Sequence, residues 1–291
     1  MHTELHSRSG SVIIGPDQPF VMIGERINPS GRKKLGPLMA AGDFTLVRQD
    51  AMAQVAAGAQ VLDVNAGYPE GDEVSMLREA VQVVQQVTDA PLSIDSSVPE
   101  ALAAALSVYQ GKALVNSVTA EDNRLERILP LVRRHGAAVI GMAHDESGIS
   151  NDPRERLAAT RKIVERASDH GIQPADVLID PLCLALATDP QSVLIALETM
   201  RLIRQELGVN LCCGASNISF GLPDRGPLNA AFLPVAMSHG LTAAITDVTN
   251  PAIREAVFAA EVLFARDEYA AQWIARYREK QRTAADLAAV R

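Results

Sequence analysis

Along the chain, short runs of Val, Ile, Leu and Ala alternate with longer segments in which apolar residues recur every three or four positions. The short runs are FVMIGE (20–25), QVLDVNAG (60–67), LSIDSS (92–97), ALVNSV (113–118), AAVIGM (137–142), DVLIDPL (176–182), VNLCCGASN (209–217) and LTAAITD (241–247). Their apolar character is continuous and not alternating, so each is predicted to be a strand covered on both faces. Between them lie segments such as LREAVQVVQQVT, RLERILPLVRRHG and RERLAATRKIVERASDHG, whose spacing predicts amphipathic helices. Strand followed by helix, repeated, predicts a parallel α/β protein. Eight such repeats with helices of similar length favour a closed (β/α)8 TIM barrel over an open doubly wound sheet. The expected organisation is one barrel over residues 1–291, with an N-terminal extension at 1–17 and a C-terminal helical tail at 275–291.

Three predicted helices end in His-Gly, at His135, His170 and His239. Glycine suits a left-handed helix cap and a cationic imidazole suits a helix C-terminus, so these histidines are read as caps and not as ligands or bases. His2 and His6 fall in what is expected to be a loose tail. His144, in GMAHDESG after the fifth strand, is the histidine placed for a functional role.

Composition narrows the class. Hydrophobic residues make up 47% and charged residues 21% of the 291, which is the make-up of a globular protein with a large core. The net charge of −8 is spread along the chain, and no Lys/Arg run with interleaved aromatics points to nucleic acid. No segment reaches the roughly 18 uninterrupted apolar residues of a membrane helix, and MHTELHSRSG carries no apolar signal region, so a cytoplasmic location is expected. The cysteines Cys183, Cys212 and Cys213 are expected to be reduced thiols. A zinc-thiolate site is the alternative for them, but the adjacent pair lies within a predicted strand, where a free thiol packs as a small hydrophobe, and no second ligand pair of ordinary spacing supports a metal.

In a barrel of this kind the active site is built at the C-terminal ends of the strands. The residues there are Glu25, Arg26 and Asn28; Asp63 and Asn65; Asp95; Asn116; His144 and Asp145; Asp180; Asn217; and Asp247 with Asn250. Any one of them could be only a helix N-cap. Together they form a set of carboxylates and primary amides. An ionised carboxylate accepts two parallel hydrogen bonds and an amide both donates and accepts, so the set matches a flat heterocycle with adjoining donors and acceptors, such as a 2-amino-4-oxo pterin.

With GERIN, LDVNAG, SIDSS, VNSVTAE, IDPL and GASNIS in this order at the strand ends, the sequence resembles the methyltetrahydrofolate:corrinoid protein methyltransferases over about residues 18–270. The resemblance implies methyl transfer between nitrogen 5 of tetrahydrofolate and the cobalt of a corrinoid. It assigns Asp95, Asn116 and Asp180 to the pterin ring, Asn217 to nitrogen 5 and Arg225 to the folate pocket, with Ser219 as a further contact. Asn217 and Asp95 would serve the chemistry: a neutral amide can contact nitrogen 5 in either protonation state and stabilise charge developing there, and Asp95 could belong to the network that brings the proton. Asp63, Asn65, Ser96, Glu25, Asn28 and His144 would stand behind these contacts, capping being an equal reading for Asp63 and Ser96. Phe220 departs from a polar contact residue of the family. The chain has no Asp-x-His-x-x-Gly corrinoid motif, so the corrinoid is expected on a separate protein, met transiently by a homodimer. Two other readings remain: a dihydropteroate synthase, and a folate-binding subunit without catalysis.

Overall fold

The chain opens with two strands, β1 (Thr3–His6) and β2 (Ser11–Ile14), paired antiparallel. There follow β3 (Val21–Ile27), α1 (Leu35–Ala40), α2 (Thr45–Ala56), β4 (Val61–Asn65), α3 (Glu73–Val87), β5 (Leu92–Asp95) and α4 (Pro99–Val108). Next come β6 (Leu114–Thr119), α5 (Asp122–His135), β7 (Ala138–Met142), α6 (Pro153–Asp169), β8 (Val177–Asp180), α7 (Ser192–Glu206), β9 (Asn210–Gly214) and α8 (Arg225–Ser238). The chain ends with β10 (Ala243–Thr246), α9 (Pro251–Leu263) and α10 (Ala271–Ala289). The structure, a computed structural model, describes the backbone of residues 1–289 and side chains through residue 282. Among the described residues, eight parallel strands close a barrel in the order β10-β3-β4-β5-β6-β7-β8-β9, with the helices outside. This is the (β/α)8 architecture the strand count predicts.

Each strand turns one set of residues inward and the other toward the helices, because side chains alternate along a strand. The outward set, including Leu62, Ile94, Val115, Val139, Ile179 and Leu211, packs with the helices in one large apolar cluster. The inward set changes character along the barrel axis. Its lower residues, Val21, Ile23, Val61, Leu114, Leu178 and Cys212, form a second apolar cluster. Two residues on, the same column reads Glu25, Asp63, Asn116, Asp180 and Gly214. Period two therefore gives a dry floor and a polar mouth from one set of strands.

The floor is completed by the hairpin. Leu5 and Ile14 are fully buried in the inner cluster, Asn210 Nδ2 donates to Thr3 Oγ1 (3.0 Å) and to the Ile14 carbonyl (2.9 Å), and His6 exchanges backbone hydrogen bonds with Lys112. The expectation of a loose tail around His2 and His6 is thus corrected. His6 ends a paired strand and His2 Nε2 meets Asp17 (2.5 Å). The signal is slight: TELH alternates buried and outward residues and SVII is a short apolar run, each too short to stand out in a sequence.

Helix ends follow expectation at His135, His170 and His239, where Gly136, Gly171 and Gly240 take φ of 59°, 75° and 101°. At His135, burial and then the neighbouring Arg134 hold the imidazole below its ordinary pKa, so this ring contributes there as a neutral group and not as a cation. The three cysteines are free and buried. Cys212 packs inside the barrel and Cys213 outside it; burial comes first in raising the Cys212 thiol, and a hydrogen bond with Cys183 in raising that of Cys213. Among the described residues no helix is long and apolar enough to cross a membrane.

Candidate active site

Register sets the first part of the site. Asn65 pairs with Asp95, and Asp95 with Asn116, so three neighbouring strands present amide, carboxylate and amide side by side. One layer lower, Asp63 pairs with Ser93. The layers are tied together: Asn65 Nδ2 donates to Asp95 Oδ2 (2.9 Å), while Asp63 Oδ1 accepts from Ser93 Oγ (2.7 Å) and Asn116 Nδ2 (3.1 Å). Between Asn116 and Val118 the pairing of β6 with β7 shifts register, an irregularity of the kind that re-aims side chains next to sites.

Two carboxylates in a low-dielectric wall cannot ionise freely. Burial pushes Asp63 up to about 6 in spite of its hydrogen bonds from Ser93 and Asn116. Asp95 is raised well above the ordinary carboxylate range, by burial first and then by the charge of Asp63. Behind Asp95, Ser96 donates its hydroxyl to Glu73 in the first turn of α3 and accepts from the Val98 amide (2.9 Å).

The second part of the site comes from β8 and β9. Asp180 ends β8, with Oδ1 accepting from the amide of Leu182 (2.8 Å). Burial pushes it up to about 6, opposed by the amides of Leu182 and Gly214 and by the Arg156 cation. After β9 the chain makes a short 3-10 turn over Ala215–Ser219, in which Ala215, Ser216, Ile218 and Ser219 are buried and Asn217 is exposed. The turn is held from several sides. Ser216 Oγ donates to Glu25 Oε1 (2.9 Å), Arg225 Nη2 donates to the Ser216 carbonyl (2.6 Å), and the Leu186 amide donates to the Ile218 carbonyl (2.9 Å). Among the described residues, the Asn217 side chain has no hydrogen-bond partner. It is an exposed amide with unused capacity on a turn whose backbone is held.

The remaining expected residues divide. Glu25 reaches the site through Ser216, and burial raises its carboxyl above the usual range. Ser219 is fully buried, donating to the Ser216 carbonyl (3.2 Å) and accepting from Arg225 Nε (2.9 Å). Arg225 also lies over the ring of Phe220, 5.8 Å from its centroid, and Phe220 is 67% exposed. Asn28 closes a local turn by accepting from the Ser30 amide (2.8 Å). His144 Nδ1 makes one long contact, 3.5 Å to the neighbouring Asp145 carbonyl. Asp145 accepts from Ser147 and Asn250 caps α9 through the Ala252 amide (3.0 Å), while Asp247 accepts from Thr249, faces Arg26 at 3.9 Å and adds to the rise of the Glu25 carboxyl. Residues that strand-end reasoning passed over are Glu73, which reads as an ordinary first-turn acid, and Arg156. Arg156 stands in line with Thr160 and Ile163 on the buried face of α6, an anomaly of pattern that could have been noticed.

The family described as pterin binding enzyme matches residues 24–247. The chain is 32% identical over 268 residues to a methylcorrinoid:tetrahydrofolate methyltransferase of Eubacterium limosum, covering 89% of this chain and 97% of that one. It is 31% identical over 247 residues to the methionine synthase of Mycobacterium tuberculosis, covering 80% of this chain and 21% of that longer protein. In fold it is similar to the dihydropteroate synthase of Xanthomonas albilineans solved with 7,8-dihydropteroate, with a TM-score of 0.71, 21% identity and coverage of 90% and 99%. A family match over most of the barrel, together with a relative of nearly the same length above 30% identity, makes this chain a member of the pterin binding enzyme family, on the side of the methylcorrinoid:tetrahydrofolate methyltransferases.

Proposed function

We propose that this protein is a methyltransferase that moves a methyl group between nitrogen 5 of tetrahydrofolate and the cobalt of a corrinoid carried by another protein. The observation that carries the reading is the division of the mouth into a hydrogen-bonded pterin wall and an unpartnered amide. Asp95, Asn116 and Asp180 supply acceptors and an amide for the ring edge, and Asn217 stands apart with its hydrogen bonds unspent. The corrinoid would supply the methyl acceptor or donor; every other task falls to this chain. Asp180, ionised above about 6, accepts from the pterin amino group and ring N–H. Asn217 holds nitrogen 5 and stabilises charge developing on it as the bond to the methyl carbon breaks or forms, since an amine is a poor leaving group unless it gains a proton or a strong hydrogen bond. Asp95, kept protonated more readily than an ordinary carboxyl, belongs to the network that relays that proton. Phe220 and Arg225 border the place where the folate tail leaves the barrel.

The reaction runs either way through one transition state, so partner and metabolite levels set its direction. A homodimer in the cytoplasm is the state we favour. The exposed Leu263, Phe264, Tyr269 and Tyr277, from the end of α9 into α10, support a contact on the outer helices that leaves the mouth open, and light scattering that returns a monomer mass would remove it. The direct test of the activity is methyl exchange between 5-methyltetrahydrofolate and free cob(I)alamin, followed by visible absorbance. Exchange that needs the protein supports the reading; tight folate binding without exchange would leave a binding subunit, and condensation of a pterin pyrophosphate with aminobenzoate would point to a dihydropteroate synthase.

A further inference from the structure

Arg156 is among the largest fully buried side chains, at 1% exposure, yet it makes no ion pair within salt-bridge distance among the described residues. An unpaired buried charge is costly, and cores seldom keep one without a local use. Its donors go to backbone. Nε donates to the Ser150 carbonyl (2.7 Å), and Nη1 donates to the carbonyls of Pro181 (2.8 Å) and Leu182 (2.9 Å), while Nη2 is buried with no partner. The clamped peptides are the ones that follow Asp180 at the mouth. Leu182 has φ of 66°, a left-handed conformation that a branched side chain adopts only when its surroundings impose it. That conformation delivers the Leu182 amide to Asp180 Oδ1 at 2.8 Å.

We propose that Arg156 is a positioning residue for Asp180: its clamp on the Pro181 and Leu182 carbonyls holds the turn that aims the carboxylate, and its charge keeps that carboxylate ionised for the ligand. The proposal rests on the pterin-binding reading above and names a residue that does not itself reach the ligand. The groups facing Asp180 are few. Arg156 comes from α6, the amides of Leu182 and Gly214 come from the backbone, and Cys212 and Cys213 come from β9 with thiols that are both raised and therefore stay neutral. After the amides of Leu182 and Gly214, Arg156 is the cation that opposes the effect of burial on Asp180, and its clamp also fixes the Leu182 amide. Losing the charge moves the titration of Asp180 upward, so the fraction ionised at neutral pH falls and recovers in more alkaline solution.

The test compares wild type, Arg156→Lys and Arg156→Gln, with folding of each checked by circular dichroism. The Asp180 carboxyl is titrated by infrared difference spectroscopy against Asp180→Asn, and 5-methyltetrahydrofolate binding is measured calorimetrically across the same pH range. In Arg156→Gln the carboxyl midpoint should rise by about one pH unit and folate affinity at about pH 7 should fall about tenfold, with most of the loss recovered at about pH 8.5. Arg156→Lys, which keeps the charge and loses part of the clamp, should keep the wild-type midpoint. A folded Arg156→Gln with an unmoved midpoint overturns the proposal, and so does a wild-type Asp180 midpoint above about 7.5, a measurement that needs no variant at Arg156 to fold. A midpoint that moves in a protein that binds no folate would instead count against the pterin-binding reading and leave the positioning role standing.

Discussion

The residues of the mouth divide into those that grip and those that act, and substitution should separate them. Asp180→Ala removes a charge-assisted pair to the ring and is expected to weaken folate binding at least about tenfold, or about 1.4 kcal/mol, by calorimetry. Asn217→Ala should lower the methyl-transfer rate more than it raises the folate dissociation constant, because its contact strengthens as charge develops. A rate within about threefold of wild type would make Asn217 a bystander. Asp63 allows a prediction in stability. Its folded pKa, about 6 against an ordinary 3.8, is raised, so its favourable contribution is fully present below the ordinary value and is lost as pH rises through about 6. Asp63→Asn keeps an acceptor for Ser93 and Asn116 but cannot ionise. It should therefore stabilise the protein by up to about 3 kcal/mol at about pH 7.5 and by nothing at about pH 4, read from denaturant midpoints. An equal difference at the two pH values would contradict the assignment of the shift to burial.

At the scale of elements, the site depends on how strands end. The turn after β9 projects Asn217 because Gly214 leaves room for it: a Cβ at Gly214 would stand 2.8 Å from Asn217 Nδ2. The backbone at Gly214, with φ of −71°, suits an L-residue, so Gly214→Ala should fold with nearly unchanged stability while its methyl group pushes the amide aside. We expect methyl transfer to fall about ten- to a hundredfold, the usual consequence of misplacing a reacting contact by a fraction of an ångström to one ångström. Unchanged transfer in this variant would show that the amide has freedom to recover its position. Ser219, two residues after Asn217 in the same turn, is placed differently. A 3-10 turn puts neighbouring residues on different sides, and Ser219 falls on the buried one.

For the whole molecule, the polar mouth sits above an apolar floor that the hairpin completes. Leu5→Ala would open a cavity beneath the inner cluster at a fully buried site, and a loss of about 2–5 kcal/mol is expected in urea unfolding. Folate affinity should stay within about twofold, since the floor and the mouth are opposite ends of the barrel and share no partner. A large loss of affinity at unchanged stability would mean that the hairpin communicates with the site.

Continuous apolar runs, helical spacing between them and their number were enough to predict the barrel, because a strand covered on both faces has no polar residue to interrupt it until it leaves the core. The same transition, from Ile23 to Glu25 or from Leu178 to Asp180, marked the level of the mouth. Local sequence could not tell which of those polar ends turn inward together. Asn65, Asp95 and Asn116 lie on three strands, and only the register of a closed barrel sets them in one row; Asp145 and Asn250 have the same side-chain chemistry but satisfy backbone amides a few residues away. Arg156 and the hairpin needed tertiary structure most of all. Two of the three carbonyls held by Arg156, those of Pro181 and Leu182, lie 25 and 26 residues away, and the partners of the hairpin include Asn210, more than 190 residues along the chain. Periodicity records which face of an element is buried, while the groups that meet there are chosen by how the elements pack.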